Sequence, residues 1–200
     1  MGDLGPDPER ERRAASRRCG PCSLCCTVLR VDELRKPAAV DCKHQRGTQG
    51  CAIHPTRPDI CHRYRCLWLQ GGLEDDERPD ATGGVVDLET TGIGVRLDIR
   101  MARGRSFERS PALRAIAERY RNEMPVRVSD VEDVMDPDRA FRVLLANGIE
   151  QRVSGEQIET LRDGERVAQR VLPWAERWMR RLAIRWRNHK LHRLETGRRD

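Results

Sequence analysis

All eight cysteines of this 200-residue chain fall between positions 19 and 66. They stand as Cys19-Gly-Pro-Cys22-Ser-Leu-Cys25-Cys26, followed by Cys42, Cys51, Cys61 and Cys66, and the rest of the chain contains none. A C-x-x-C turn brings two sulfurs together with backbone N–H groups pointing back at them, which favours the thiolate, the form that binds metal. Gly20 and Pro21 suit such a turn. The 19-22-25 spacing equals the first three cysteines of the bacterial ferredoxin run, with the adjacent Cys26 standing where that run has a more distant fourth. Zinc sites use the same C-x-x-C pairs. Zinc and an iron–sulfur cluster, including a [4Fe-4S] cluster, are therefore both open.

Neighbouring side chains in extended backbone point opposite ways. Cys25 and Cys26 are accordingly expected to serve separate sites or opposite sides of one cluster. Eight thiols fit two four-ligand sites, or one such site plus structural or redox cysteines. His44 and His54 follow Cys42 and Cys51 closely and could replace a thiolate, but read better as polar loop surface; His62 reads as a solvent-facing helix residue.

The competing reading is a disulfide framework, which belongs to oxidising compartments. The N-terminal stretch is polar and has no apolar signal-peptide core, Pro6 breaks the myristoylation pattern, and no apolar run reaches membrane-spanning length. These features predict a cytoplasmic chain, where clustered cysteines mean metal or redox chemistry. A cysteine nucleophile would need a His/Asp companion arrangement that the sequence does not display.

Only 38% of the residues are hydrophobic and 35% are charged, which argues against a large enzyme-sized core. The expected fold is α+β: a small, loop-rich cysteine/metal knot, then a short antiparallel sheet packed with C-terminal helices. Residues 1–18 read as a disordered leader and 19–70 as the cysteine-cluster domain. Residues 71–164 read as a small α+β region entered through a Gly-rich polar connector, and 165–200 as a basic amphipathic helix and tail. Strands are expected at 85–88 and 93–101, the second alternating Ile93, Val95, Leu97, Ile99 and Met101 against Arg96, Asp98 and Arg100, with a third near Val126–Val128. Ser110-Pro111 and Asp136-Pro137 each predict a helix start, the second helix closing at Gly148. Ser154 with Gln157 predicts a capping box before a short helix. The last helix is expected from about 165 to about 193, kinked or restarted at Pro173.

Pro58 opens a further helix in which Tyr64 and Trp68 share a face beside the sulfurs. Lys43, Arg46, Arg57, Arg63 and Arg65 are close enough in sequence to offset thiolate charge. With CGPCSLCC, Lys36-Pro37, the Cys42-Lys43-His44 triplet and CAIHPTRPDICHRYRCLW, residues 19–70 resemble the YkgJ-type CxxCxxCC cysteine-cluster family, described as a zinc- or iron-chelating domain. The loosely similar stretch extends over Arg78-Pro79-Asp80 to Val86. His54 and His62 stand where that family often has an aromatic residue and an arginine. The resemblance implies metal binding through Cys19, Cys22, Cys25, Cys26, Cys42, Cys51, Cys61 and Cys66. A similar motif in flagellin lysine methylases implies, as an alternative, an iron–sulfur enzyme or enzyme component of redox or methyl-transfer type. No Gly-rich nucleotide loop accompanies it; Gly92-Ile93-Gly94 alone is a weak match.

The formal charge is +6, and residues 177–200 carry nine Lys/Arg against two acids, so the basic character belongs to the C-terminus. Val171, Trp174, Trp178, Leu182 and Trp186 recur at helical steps among these arginines. Either the tryptophans pack on the strands and the arginines are solvated, or the helix binds a partner. That partner would be nucleic acid, an anionic membrane surface or a protein groove. A third function class, a zinc-stabilised nucleic-acid-binding module, rests on this helix.

Overall fold

A computed structural model describes residues 7–20, 22–92, 94–130 and 139–196, with the backbone alone at 48, 187–188 and 190–196. Four short helices precede the sheet: α1 (Pro8–Ser16), α2 (Leu24–Val28), α3 (Asp59–Arg63) and α4 (Pro79–Thr82). Then come β1 (Gly84–Thr91), β2 (Gly94–Met101), α5 (Pro111–Tyr120) and β3 (Val126–Asp130). The chain continues as β4 (Phe141–Leu144), β5 (Ile149–Ser154), β6 (Gln157–Arg162), β7 (Glu165–Val171) and α6 (Trp174–Thr196). The protein is thus α+β, with one seven-stranded sheet whose strands lie side by side in chain order. Every neighbouring pair is antiparallel except β2 and β3, which α5 joins as a crossover.

The β1–β2 hairpin shows why the sheet holds two layers apart. Val86 lies opposite Ile99 and Leu88 opposite Leu97. Leu97, Ile99 and Met101 are buried with Leu113, Ile116, Ala117 and Tyr120 of α5. The helix starts as its sequence predicts: the Ser110 hydroxyl accepts from the Leu113 N–H at 3.4 Å and Pro111 occupies the first turn. The opposite face of the hairpin carries Val85, Asp87, Glu89, Arg96, Asp98 and Arg100. It is covered by the cysteine segment, since Val85 packs with Val28 and Cys66 and both aspartates are buried.

Several expectations are corrected. Residues 141–144, 149–154, 157–162 and 165–171 are strands, where the sequence reading placed helices over 138–147, after Ser154 and from 165 onward. Asp136-Pro137 lies outside the described residues. The local reason is turn chemistry. Asn147 and Gly148 both have positive φ (58° and 69°), as do Asp163 and Gly164 (53° and 86°), the two-residue turns that fold strands back on each other. Ser154 and Gln157 face each other across a tight turn instead of capping a helix. Pro173 separates β7 from α6, so the basic helix begins at Trp174. The sheet is accordingly longer than the short one expected.

The leader from Asp7 onward and the connector are also ordered. Asp7 caps α1, its side chain accepting from the Glu9 N–H at 3.0 Å. Arg13 donates to the Gly71 carbonyl at 2.9 Å. Arg17 is buried, donates to the Trp68 carbonyl and to Asp75, both at 2.6 Å, and stacks 4.5 Å from the Trp68 ring. The 71–84 stretch is therefore a dock for α1 and α5, with Leu73 fully buried and the Tyr120 hydroxyl bonded to the Gly72 carbonyl. Gly71 sits at φ +78°, and a Cβ there would meet the Arg10 carbonyl oxygen at 2.0 Å. Gly71→Ala should cost about 1–2 kcal/mol from the left-handed backbone alone, and more from the clash. It should also make 8–16 newly sensitive to proteolysis; an unchanged melting temperature and digestion pattern would refute that account. No helix among the described residues is long and apolar enough to cross a membrane.

Candidate metal centre

The cysteine segment is folded by its own crossings. The Cys42 N–H donates to the Cys26 carbonyl at 3.1 Å, and Gln45 bridges to Cys51. Thr27 donates to Asp41 at 2.7 Å and Gln45 to Ser23 at 3.0 Å, tying α2 to the 41–51 loop. Arg57 donates to the carbonyls of Cys61 (3.2 Å) and His54 (2.9 Å), which turns the chain into α3.

Two cavities result, and between them they are lined by every cysteine in the protein. The larger, about 300 Å3, is lined by Cys25, Cys26, Cys42, Cys51 and Cys61. The smaller, about 60 Å3, is lined by Cys19, Cys22, Cys25, Cys61 and Cys66. Cys25, Cys61 and Tyr64 belong to both, so these three residues form the partition. All eight thiols are free of disulfides. Among the described residues, no three Cys, His, Asp or Glu side chains converge closely enough to hold a metal ion. The sulfurs are gathered around the two spaces without being closed onto one point.

Their electrostatics are those of a crowded thiol set. Burial pushes up the pKa of Cys19, Cys22 and Cys61, and lifts Cys66 to about 11; neighbouring sulfurs add to the rise at Cys19, Cys61 and Cys66. For Cys22 that neighbouring negative charge is instead Asp80. Cys25 hydrogen-bonds Cys26, which raises Cys25 and draws Cys26 down to about 7, with Lys36 and Arg57 assisting. One premise is corrected: residues 24–28 are helical, not extended, so the two adjacent thiols interact and both line the larger cavity, while Cys25 reaches the smaller one as well. Tyr64 ends α3 as its C-cap, so the expected helical stacking of Tyr64 on Trp68 is replaced by packing of both around Val28, Cys66 and Val85.

Lys36 was not singled out from the sequence as a charge partner, and the structure makes it one. Its ammonium is buried and held by the carbonyls of Thr27 (3.1 Å), Pro37 (2.9 Å) and Leu29. Burial pulls its pKa down, and Cys42, Cys26 and Cys25 oppose that pull. Arg57 acts on Cys19 and Cys26 as expected. Arg63 instead pairs with Asp59 on the surface at 3.6 Å, and Arg65 donates to the Leu69 carbonyl at 2.6 Å. Lys43 and Arg46 are exposed.

The floor of the larger cavity is a second unforeseen network. Asp87 accepts from the Tyr64 hydroxyl at 2.9 Å and from Arg100 at 2.6 Å. Arg100 also reaches Asp98 at 3.0 Å and Glu89 at 3.1 Å, while Arg96 holds Asp98 at 2.6 Å. Burial raises the Asp87 pKa above the ordinary carboxylate range, against the pull of Arg100 and Tyr64. A period-two strand pattern identifies these residues as polar-facing; nothing in it says that the polar face is roofed.

The three histidines of the cysteine segment, His44, His54 and His62, stand apart from both cavities. His62 is exposed, as expected, and His54 has a buried Nε2 without a hydrogen-bond partner, but neither it nor His44 lines either space. The side chains around the two cavities that could ligate a metal are thus the thiols, together with Asp87 and Glu89 on the larger one. That chemistry fits a thiophilic metal such as zinc or iron. Comparison of the chain with protein families, with curated proteins and with solved structures finds no match.

Proposed function

We propose that this is a thiolate metal-binding protein, holding zinc or an iron–sulfur cluster within the cysteine segment. More particularly, we read it as a cysteine-cluster chelator of the YkgJ type. The observation that carries the reading is that eight free thiols, drawn from a 48-residue window, line two cavities that share Cys25 and Cys61. Eight sulfurs this close cannot all become thiolates without an offsetting cation, and the fixed charges of Lys36 and Arg57 are too few. Bound metal would supply that charge and draw the sulfurs inward.

In this reading Cys19, Cys22 and Cys66 hold metal on one side of the partition, and Cys26, Cys42 and Cys51 on the other. Cys25 and Cys61, on the partition, belong to both sets as shared thiolates. Tyr64, Val85 and Trp68 keep water from the smaller side, and Lys36 sets the charge of the larger. The fivefold difference in volume favours a single ion in the smaller space and a multi-atom centre in the larger.

Anaerobic purification followed by metal and sulfide analysis and an absorption spectrum tests this. Brown protein with iron and sulfide identifies a cluster; colourless protein with stoichiometric zinc identifies zinc and removes the redox-enzyme alternative. Protein that is metal-free as isolated and takes up neither metal on anaerobic reconstitution sinks the proposal.

A further inference from the structure

Nine large hydrophobic side chains are markedly exposed among the described residues, and seven of them fall between 167 and 186. Five are on α6: Trp174 is 77% exposed, Trp178 57%, Met179 59%, Leu182 42% and Trp186 70%. The helix is therefore inverted relative to an ordinary surface helix. Arg177 pairs with Glu156, Arg180 lies 5.8 Å from the Phe141 ring, and Ala183 and Ile184 line the same groove with Phe141 and Val143. That face is turned to the sheet. Trp174, Trp178, Leu182 and Trp186, spaced by four, form a stripe on the outside.

An exposed apolar stripe of this size marks an interaction surface. We propose that the outer face of α6 docks on an anionic lipid surface. The charge around the stripe points there. Arg181 and Arg185 are exposed within its arc, and Glu176, the one acid of α6 whose side chain is described, is engaged by Arg180 at 3.0 Å. Tryptophan, leucine and methionine beside arginine is the composition of a helix lying in a bilayer interface: the apolar side chains enter the headgroup boundary and the guanidinium groups stay with the phosphates. Nucleic acid would use the arginines and stack on the tryptophans, but it offers nothing to Leu182 and Met179. A second copy would bring Arg181 and Arg185 against their own like charges.

The test is flotation of the full chain with vesicles of phosphatidylcholine alone and of equal parts phosphatidylcholine and phosphatidylserine, read together with tryptophan emission. The chain should float with the mixed vesicles, far less with the neutral ones, and its emission should shift to the blue. Arg181→Gln and Arg185→Gln should each weaken binding about fivefold, and raised salt should weaken it further. The double variant Trp178→Ser/Leu182→Ser should lose binding by at least about tenfold. Both residues face outward, so its far-ultraviolet circular dichroism should be unchanged. Absence of binding to mixed vesicles overturns the proposal. So does a double variant, folded or not, that still binds like the parent. Duplex DNA that binds and displaces the vesicles without a blue shift assigns the face to nucleic acid. A concentration-dependent dimer abolished by Leu182→Ser assigns it to a second copy; either result overturns lipid docking.

Discussion

Serine at Cys25 or Cys61 should strip metal from the whole segment, whereas serine at Cys19 or Cys42 should remove only part of it. The asymmetry follows from the partition. Cys25 and Cys61 line both cavities, Cys19 only the smaller and Cys42 only the larger. A lost thiolate removes both a donor and a charge. With the proposed ligand set, metal affinity should therefore fall by well over the ten- to hundredfold typical of an outer-shell change, because a direct ligand would be removed. Metal content per chain should approach background in the two shared-residue variants and about half of the parent value in the other two. Thermal unfolding should follow the same order, since binding and folding are coupled. Equal losses from all four variants would mean a single site, and full retention by all four would mean that the ligands lie elsewhere.

Arg100→Gln should be the most damaging substitution outside the cysteines. Asp87 and Asp98 stand directly opposite each other on β1 and β2, both buried, and Arg100 bonds to each. Arg96 retains Asp98 in the variant, but Asp87 keeps only the Tyr64 hydroxyl. Breaking a buried pair by removing one partner costs about 3–5 kcal/mol. For a chain of this length that corresponds to a fall in melting temperature of roughly 6–20 °C. The effect should depend on pH with a definite sign. Asp87 already titrates above its unfolded value, and loss of Arg100 raises it further. A carboxyl raised in the folded state destabilises as pH climbs from the ordinary carboxylate range through the raised value. The gap between variant and parent should thus be full at neutral pH and shrink on acidification toward the ordinary carboxylate range. A gap that stays constant, or widens in acid, would show that the lost guanidinium acts by packing alone.

The parts of this molecule that could be read from its sequence are those governed by one local rule. Leu97, Ile99 and Met101 alternate with Arg96, Asp98 and Arg100, and β2 follows. Ser110-Pro111 is a cap, and α5 follows. The crowding of the cysteines predicted that they would be near one another, and they are. The strands from 141 to 171 were lost because their two faces carry Arg, Glu and Gln in almost equal measure. That leaves little period to detect and favours helix by propensity. The Asn147-Gly148 and Asp163-Gly164 dipeptides were the available signal, and they outrank propensity because both positions require positive φ. Three features had no sequence signature. They are the burial of Lys36 under three carbonyls, the roofing of Asp87 and the outward turn of the tryptophans. Each depends on which layer lies above a residue, and that is set by segments distant in the chain.

The order of the layers along the chain has a consequence for synthesis. The last cysteine, Cys66, emerges 35 residues before β2 ends at Met101. At ordinary translation rates that interval is about 2–7 s. Until Val85, Asp87 and Arg100 arrive, the thiols have no floor beneath them and stand open to solvent oxidants. A newborn chain is consequently most vulnerable to mispaired sulfur in the interval before β2 is complete, and an early-captured metal ion would act as its chaperone.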